Sequence, residues 1–305
     1  MPASASASAS ASGAAATGPV VAPYVDILGS TANISDIHQK TGQADFAVAF
    51  VLAASSGSCT PTWGGSVALG NAKVRASLDK IDALGGDVIV ATGGATGTYL
   101  ESVCSPAQLA SAYAKVLDAA GSNHLDVDLE KPVDPAVVTA ALATLQQARR
   151  TAITFTVPVG SRSAGLTSAS IALLTSAKKA GLTVTVNAMT MNFDASGDWG
   201  TAMTAATEAV HADLAAIWTG KSSATLYAML GVTPMIGVND TGPVTSLADA
   251  RTLLGYAADR GLGFVRFWSV NRDNGGCSGG ALSSTCSGIS QTAYAFTKLF
   301  AGYAR

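Results

Sequence analysis

From residue 19 onward, short runs of β-branched and other apolar residues alternate with longer segments whose apolar positions recur at helical spacing. The runs predict strands near 20–28 (VVAPYVDIL), 45–53 (DFAVAFVLA), 86–94, 123–130 (NHLDVDLE), 152–159, 182–193, 232–238 and 263–270 (GFVRFWSV). Amphipathic segments over 71–84, 106–120, 134–150, 168–180, 201–218, 246–260 and 287–303 predict helices. Several open on Pro, Ser, Thr or Asp and close on Gly. Only the connection after the first strand is weak, with Asn33 to Lys40 alone reading as helical. Eight strands that are apolar on both faces, each followed by a helical segment and with no break between them, point to one α/β domain, a (β/α)8 TIM barrel. In such a barrel the chemistry sits at the carboxyl ends of the strands and in the loops that follow them.

Composition narrows the partners. Eighteen Lys and Arg against twenty Asp and Glu leave a net charge of −2, with no basic footprint for nucleic acid or an anionic membrane. The positive mean hydropathy of +0.33 comes from Ala and Val spread over short runs, not from a spanning segment of about 20 apolar residues. Residues 1–18 alternate Ala and Ser without the basic and apolar regions of an intact secretory signal, and read as a disordered linker or the remnant of a processed N-terminus. Residues 19–305 form the barrel. Three scattered histidines and four cysteines without a CxxC pair give no metal-ligand spacing, so neither metal nor cofactor is expected. Four cysteines allow three pairings. A Cys59–Cys104 bridge with a short Cys277–Cys286 bridge is the expected one, against four free thiols in a cytosolic enzyme. With the low charge and the Ser- and Thr-rich loops, it favours an extracellular setting.

The fourth strand ends in Asp126-Val127-Asp128-Leu129-Glu130, which puts three carboxylates on one face and two apolar side chains on the other. Three acids spaced by two residues at the mouth of a packed interior cannot all ionise cheaply, so at least one is expected to hold a proton near neutral pH. The last, Glu130, is placed to act as a general acid toward a leaving-group oxygen, the chemistry of glycoside hydrolysis.

This run resembles the DxxDxDxE signature on the fourth strand of the glycoside hydrolase family 18 chitinases. Other strand ends agree in barrel order. Thr92-Gly93-Gly94 is similar to the family's SxGG element, Met189-Thr190-Met191-Asn192 to its MxYD stretch, and Phe267-Trp268-Ser269 to the strand end that carries its sugar-floor tryptophan. The likeness covers residues 19–305, and TPTWGG, TPMIGVND, FWSVNRD and QTAYAFTKLF look most like the secreted bacterial members.

The resemblance implies a barrel that cleaves β-1,4 links between N-acetylglucosamine units by substrate assistance, in which the acetamido oxygen attacks the anomeric carbon through an oxazolinium intermediate with retention. By this resemblance Glu130 is acid and then base, Asp128 accepts the acetamido N–H, Asp126 shares a proton with Asp128, and Trp268 floors the sugar. Gly94, Met189, Met191 and Asn192 lie at the same site. The family pattern is broken in three places: Asn123 stands at the first acid position, and Met191 and Asn192 stand where most relatives carry Tyr and Asp. Phe193 or Asp194 could compensate, or Asn192 could act as a neutral donor. Trp63 and Trp199 are candidate stacking platforms; Asn239, Asp240, Arg272 and Asp273 are candidate cleft-lining residues at strand mouths. Trp218, His38 and His211 read as core. The expected partner is chitin or chitooligosaccharides, bound by a monomer. With no large insertion between the seventh and eighth strands, a shallow groove and endo action are expected. The competing readings are an endo-β-N-acetylglucosaminidase and a non-catalytic chitin-binding lectin.

Overall fold

The computed structural model describes residues 18–54, 58–194 and 196–303, so the expectation for the Ala/Ser run falls outside the described residues apart from Gly18. Eight parallel strands, β1 (Tyr24–Asp26), β2 (Phe46–Ala53), β3 (Val88–Gly93), β4 (His124–Asp128), β5 (Ala152–Ser161), β6 (Val184–Met189), β7 (Leu230–Val232) and β8 (Phe264–Val265), pair in sequence order. The ring closes between its ends: Val21 bridges Val265 in parallel, and the Tyr24 N–H donates to the Phe267 carbonyl at 3.0 Å. This is the (β/α)8 barrel expected from the strand count.

Helices α1 (Ile34–Thr41), α2 (Ala72–Ala83), α3 (Pro106–Ala120), α4 (Pro135–Arg149), α5 (Ser168–Lys179), α6 (Trp199–Ile217), α7 (Leu247–Arg260) and α8 (Ala295–Ala301) surround it. Their ends follow local chemistry. In α3, Ser105 and Gln108 form a capping box ahead of Pro106, and Gly121 closes the helix in the left-handed conformation.

Several strands are shorter than expected, among them the first, sixth and eighth, and two elements differ in kind from their sequence expectations. The seventh strand ends at Val232 rather than running to 238. Gly237–Val238 instead pairs antiparallel with Val244–Thr245, a small hairpin at the barrel mouth. The final helix begins at Ala295, not near 287, because Asp273 gathers the start of the helix: its carboxylate accepts from the Phe296 and Thr297 N–H groups and the Thr297 hydroxyl. Asp273 is thus a buried helix cap, not a cleft residue. Arg272 is likewise buried, donating to the carbonyls of Ile236, Val238 and Ser283, so that it ties the loops after β7 and β8 together. Both expected disulfides are present. Cys59–Cys104 joins the loops after β2 and β3, and Cys277–Cys286 closes a turn after β8. Trp218 is buried as expected, whereas His38 and His211 are only half-buried; His211 stacks on Tyr227 at 3.9 Å.

Trp63 and Trp199 are core residues, which corrects their expected role as sugar platforms. Trp63 lies on a short strand (Pro61–Trp63) that folds back antiparallel on β2; it is 0% exposed and its indole N–H donates to the Leu69 carbonyl. Trp199 opens α6, donates to Thr245 at 2.9 Å and packs on Phe193 at 4.7 Å. Neither ring has a free face for a sugar. Trp63→Ala is therefore expected to cost about 3–5 kcal/mol of stability, measured by denaturant unfolding; a platform residue would leave the unfolding midpoint unchanged.

Candidate active site

The acids of β4 occupy three different environments. Asp126 is fully buried within the barrel and meets a polar cluster drawn from four other strands and their ends. The Tyr24 hydroxyl donates to its Oδ2 at 2.5 Å, the Thr156 hydroxyl to its Oδ1 at 2.6 Å, and the Arg266 guanidinium stands 3.3 Å from Oδ1. Asn187 completes the cluster, donating to Tyr24 and Thr156 while its Oδ1 accepts from Thr233. Burial first, and then the Asp126 charge, hold the Tyr24 phenol well above its ordinary pKa, so it stays a donor.

Asp128, one pleat further along, is also buried, and its Oδ1 has no hydrogen-bond partner among the described residues. Desolvation, then the charges of Glu130 and Asp126, push its carboxyl well above the usual carboxylate range; Arg266 opposes them. A buried acid with an unmatched oxygen at the mouth of the barrel is suited to receiving a hydrogen bond from a bound ligand. Glu130 is half-buried at the end of the strand. Burial and then the nearby Asp240 charge raise it to about 7, against the opposing pull of Lys131.

Backbone geometry fixes the acid row. Gly93 and Gly94 both hold positive φ, 86° and 87°. A Cβ on Gly93 would lie 1.8 Å from the Asp128 carbonyl oxygen, and one on Gly94 would lie 2.8 Å from the Phe50 ring. Only glycine lets β3 approach this closely, and the Gly94 N–H donates to that same Asp128 carbonyl at 3.0 Å. Tyr99, which follows in the β3 loop, donates its hydroxyl to the Gly94 carbonyl at 2.5 Å and accepts from the Glu130 N–H at 3.2 Å, anchoring the backbone of the acid.

An aromatic and thioether floor adjoins the acids. Half-buried Trp268 stacks on Phe50 at 5.4 Å and meets Tyr24 at 6.0 Å, while Met189, Met191 and Met235 pack against it. Met189 and Met191 are thus supports of the floor, themselves buried. Asn192 holds φ 60° and does not project a free amide: its Nδ2 donates to Asp240 Oδ2 at 2.9 Å, and its Oδ1 accepts from the Asp240 N–H at 2.9 Å. Asn239 is buried, donating to the Met235 and Gly237 carbonyls and accepting from the Asn192 N–H, so it shapes the loop instead of lining a cleft. Phe193 is buried against Trp199, and Asp194 is exposed.

The structure thus brings Asp126, Asp128, Glu130, Gly94, Trp268, Met189, Met191, Asn192 and Asp240 to one end of the barrel and leaves Trp63 and Trp199 in the core. Sequence reasoning missed Tyr24, Thr156, Asn187 and Arg266. The one signal for them was the lone charge of Arg266 inside an apolar strand pattern. It missed Phe50 and Tyr99 as well, because each reads as ordinary core. Among the described residues no cluster of three His, Cys, Asp or Glu side chains is arranged to hold a metal ion.

Solved structures of a hyperthermophilic chitinase from Pyrococcus furiosus share this architecture. Its catalytic domain is 33% identical over 94% of this chain and 95% of that one, with a TM-score of 0.86. Catalytic-site mutants of its active domain 2, complexed with chito-oligosaccharides, are 32% identical over the same shares at the same TM-score. Among curated proteins, a probable bifunctional chitinase/lysozyme of Escherichia coli is 31% identical over 94% of this chain, and Endochitinase 11 of Metarhizium anisopliae is 30% identical over 83%. The chain spans only 34% and 52% of the length of these two relatives. No family model matches the chain. The match to the Pyrococcus catalytic domain runs over nearly the whole of both chains, and the acid row stands at the barrel mouth: the chain belongs to the glycoside hydrolase family 18 chitinases.

Proposed function

We propose that the protein is a chitinase that hydrolyses β-1,4 links between N-acetylglucosamine units with retention, by substrate assistance, and acts endo on chitin or chitooligosaccharides. The observation that carries the reading is the pair of raised acids: Glu130 at about 7, half-buried at the mouth, beside a buried Asp128 whose Oδ1 is unmatched. Near neutral pH Glu130 holds a proton for the glycosidic oxygen, and after cleavage its carboxylate takes the proton of the incoming water. Asp128 accepts the acetamido N–H, which aims the carbonyl oxygen at the anomeric carbon and compensates the charge that develops there. Trp268 presents a rigid apolar surface to the sugar ring. The Pyrococcus relative bound to chito-oligosaccharides supports this substrate class.

The Tyr of the family pattern has no counterpart on β6, since Met191 is committed to the floor and the Asn192 amide is engaged by Asp240. The assistance then falls on Asp128. Two disulfides support action outside the cell, and we read the working form as a monomer.

Release of dimer from N-acetylglucosamine tetramer or pentamer tests the reading. Glu130→Gln is expected to lower the rate by about 10²–10⁴-fold, the scale of a lost general acid, with oligomer binding retained. If parent and variant both bind the oligomer and neither cuts it, the protein is a lectin. The pH profile supplies a second check. Glu130 must be protonated to act, so kcat/KM is expected to fall as pH rises through about 7. Asp240→Asn removes a carboxylate that raises Glu130, while its amide oxygen can still accept from Asn192. The alkaline limb is expected to move to lower pH; a limb that stays in place or moves up would show that Asp240 does not act on Glu130.

A further inference from the structure

The amino-terminal end of the barrel, opposite the acids, contains a cavity of about 540 Å³. It is bounded by the first residues of β4, β5, β6 and β8 and by the ends of α5 and α6. Its walls are mainly apolar, with Val184, Trp218 and Phe264 among them. Its charged groups are all of one kind: Arg266, Lys178 and Lys221 are cationic, burial lowers the His124 pKa and favours its neutral ring, and among the described residues no side chain lining the cavity is a carboxylate. Because Arg266 is paired with Asp126, the net positive charge of the cavity comes from Lys178 and Lys221.

Arg266 is the built part of this site. It is 3% exposed; its Nη1 faces Asp126 and its Nη2 donates to Thr154, while its Nε has no hydrogen-bond partner among the described residues. A buried guanidinium donor left unmatched is costly, and an anion reaching it would relieve that cost. Lys178 and Lys221 are exposed at the rim, Lys178 with its ammonium held by the Ile217 carbonyl and Lys221 turned to solvent, and their charge can steer an anion inward. A bare inorganic anion would leave the apolar walls wet, and a neutral hydrocarbon would leave the Arg266 donor unmatched. The volume lies in the range of small-molecule sites.

We propose that this cavity is a second binding site, separate from the sugar site, for a small organic anion with an apolar body, of the kind represented by a medium-chain carboxylate. The test uses the fluorescent anion 8-anilinonaphthalene-1-sulfonate with the folded protein. Its emission is expected to rise on binding, and octanoate is expected to displace it while octylammonium, with the same apolar body and the opposite charge, is not. N-acetylglucosamine tetramer is also expected to leave it bound. The variant Lys221→Glu changes an exposed side chain and is expected to weaken binding about threefold with an unchanged melting temperature. Ala228→Trp, at the cavity wall, is expected to reduce binding by filling space. Absence of probe binding, displacement by octylammonium as readily as by octanoate, displacement by the sugar, or full affinity in the Lys221→Glu variant would each overturn the proposal.

Discussion

The ion pair between Asp126 and Arg266 is the constraint around which the barrel interior is arranged. A lone carboxylate with no accessible surface would cost several kcal/mol. Here it is matched by a cation from the end of β8, a phenol from β1 and a hydroxyl from β5, with Asn187 of β6 binding the second rank. One charge is thereby satisfied from three strands, which no stretch of contiguous chain could achieve. Removing one partner would leave the others buried and unmatched, so the cluster also favours the single strand register in which all of them meet.

That arrangement makes the three acids unequal. Arg266 pairs with Asp126, whereas Asp128 has no such ion pair and Glu130 meets only the weaker opposing pull of Lys131. Asp128 receives the penalty of burial together with the repulsion of two neighbours, and its carboxyl rises accordingly. Glu130, nearer water, rises less, to about 7. An alternating run of identical chemistry is thereby given three different environments by position alone: an ion-paired carboxylate, a buried one with an unmatched oxygen, and a half-buried one at the mouth.

How much of this could be read in the chain depends on whether the cause is local. The acid row is a period-two pattern, and the tight glycines, the strand count and Trp268 at a strand end are likewise features of short segments; all of them were legible. Trp63 and Trp199 misled because an aromatic beside Gly or Asp reads as a loop platform. Their burial is decided by the fold-back of Pro61–Trp63 onto β2 and by Thr245, 46 positions away from Trp199. Tyr24 and Thr156 were invisible as polar-network members for the same reason: their partner Asp126 lies 102 residues from one and 30 from the other. Asp273 and Arg272, both at the β8 end, were indistinguishable by position from cleft residues until their backbone partners were known.

The departures on β6 look at first like simple losses of a hydroxyl and a carboxylate, and the geometry argues otherwise. Met191 joins Met189 and Met235 under Trp268, so the change extends the floor that holds the indole in place. Asn192, in a left-handed conformation that asparagine tolerates better than most residues, forms a reciprocal pair with Asp240 and accepts at its carbonyl from the Thr241 hydroxyl. The β6 loop is thereby locked to the β7 loop. Position 192 carries no carboxylate, yet Asp240, in the loop after β7, places one whose charge raises Glu130. An aspartate at position 192 would face Asp240 as a like charge and could not make the same pair. The asparagine and the aspartate are therefore one coupled choice, and it bears on both the loop geometry at the mouth and the acidity of Glu130.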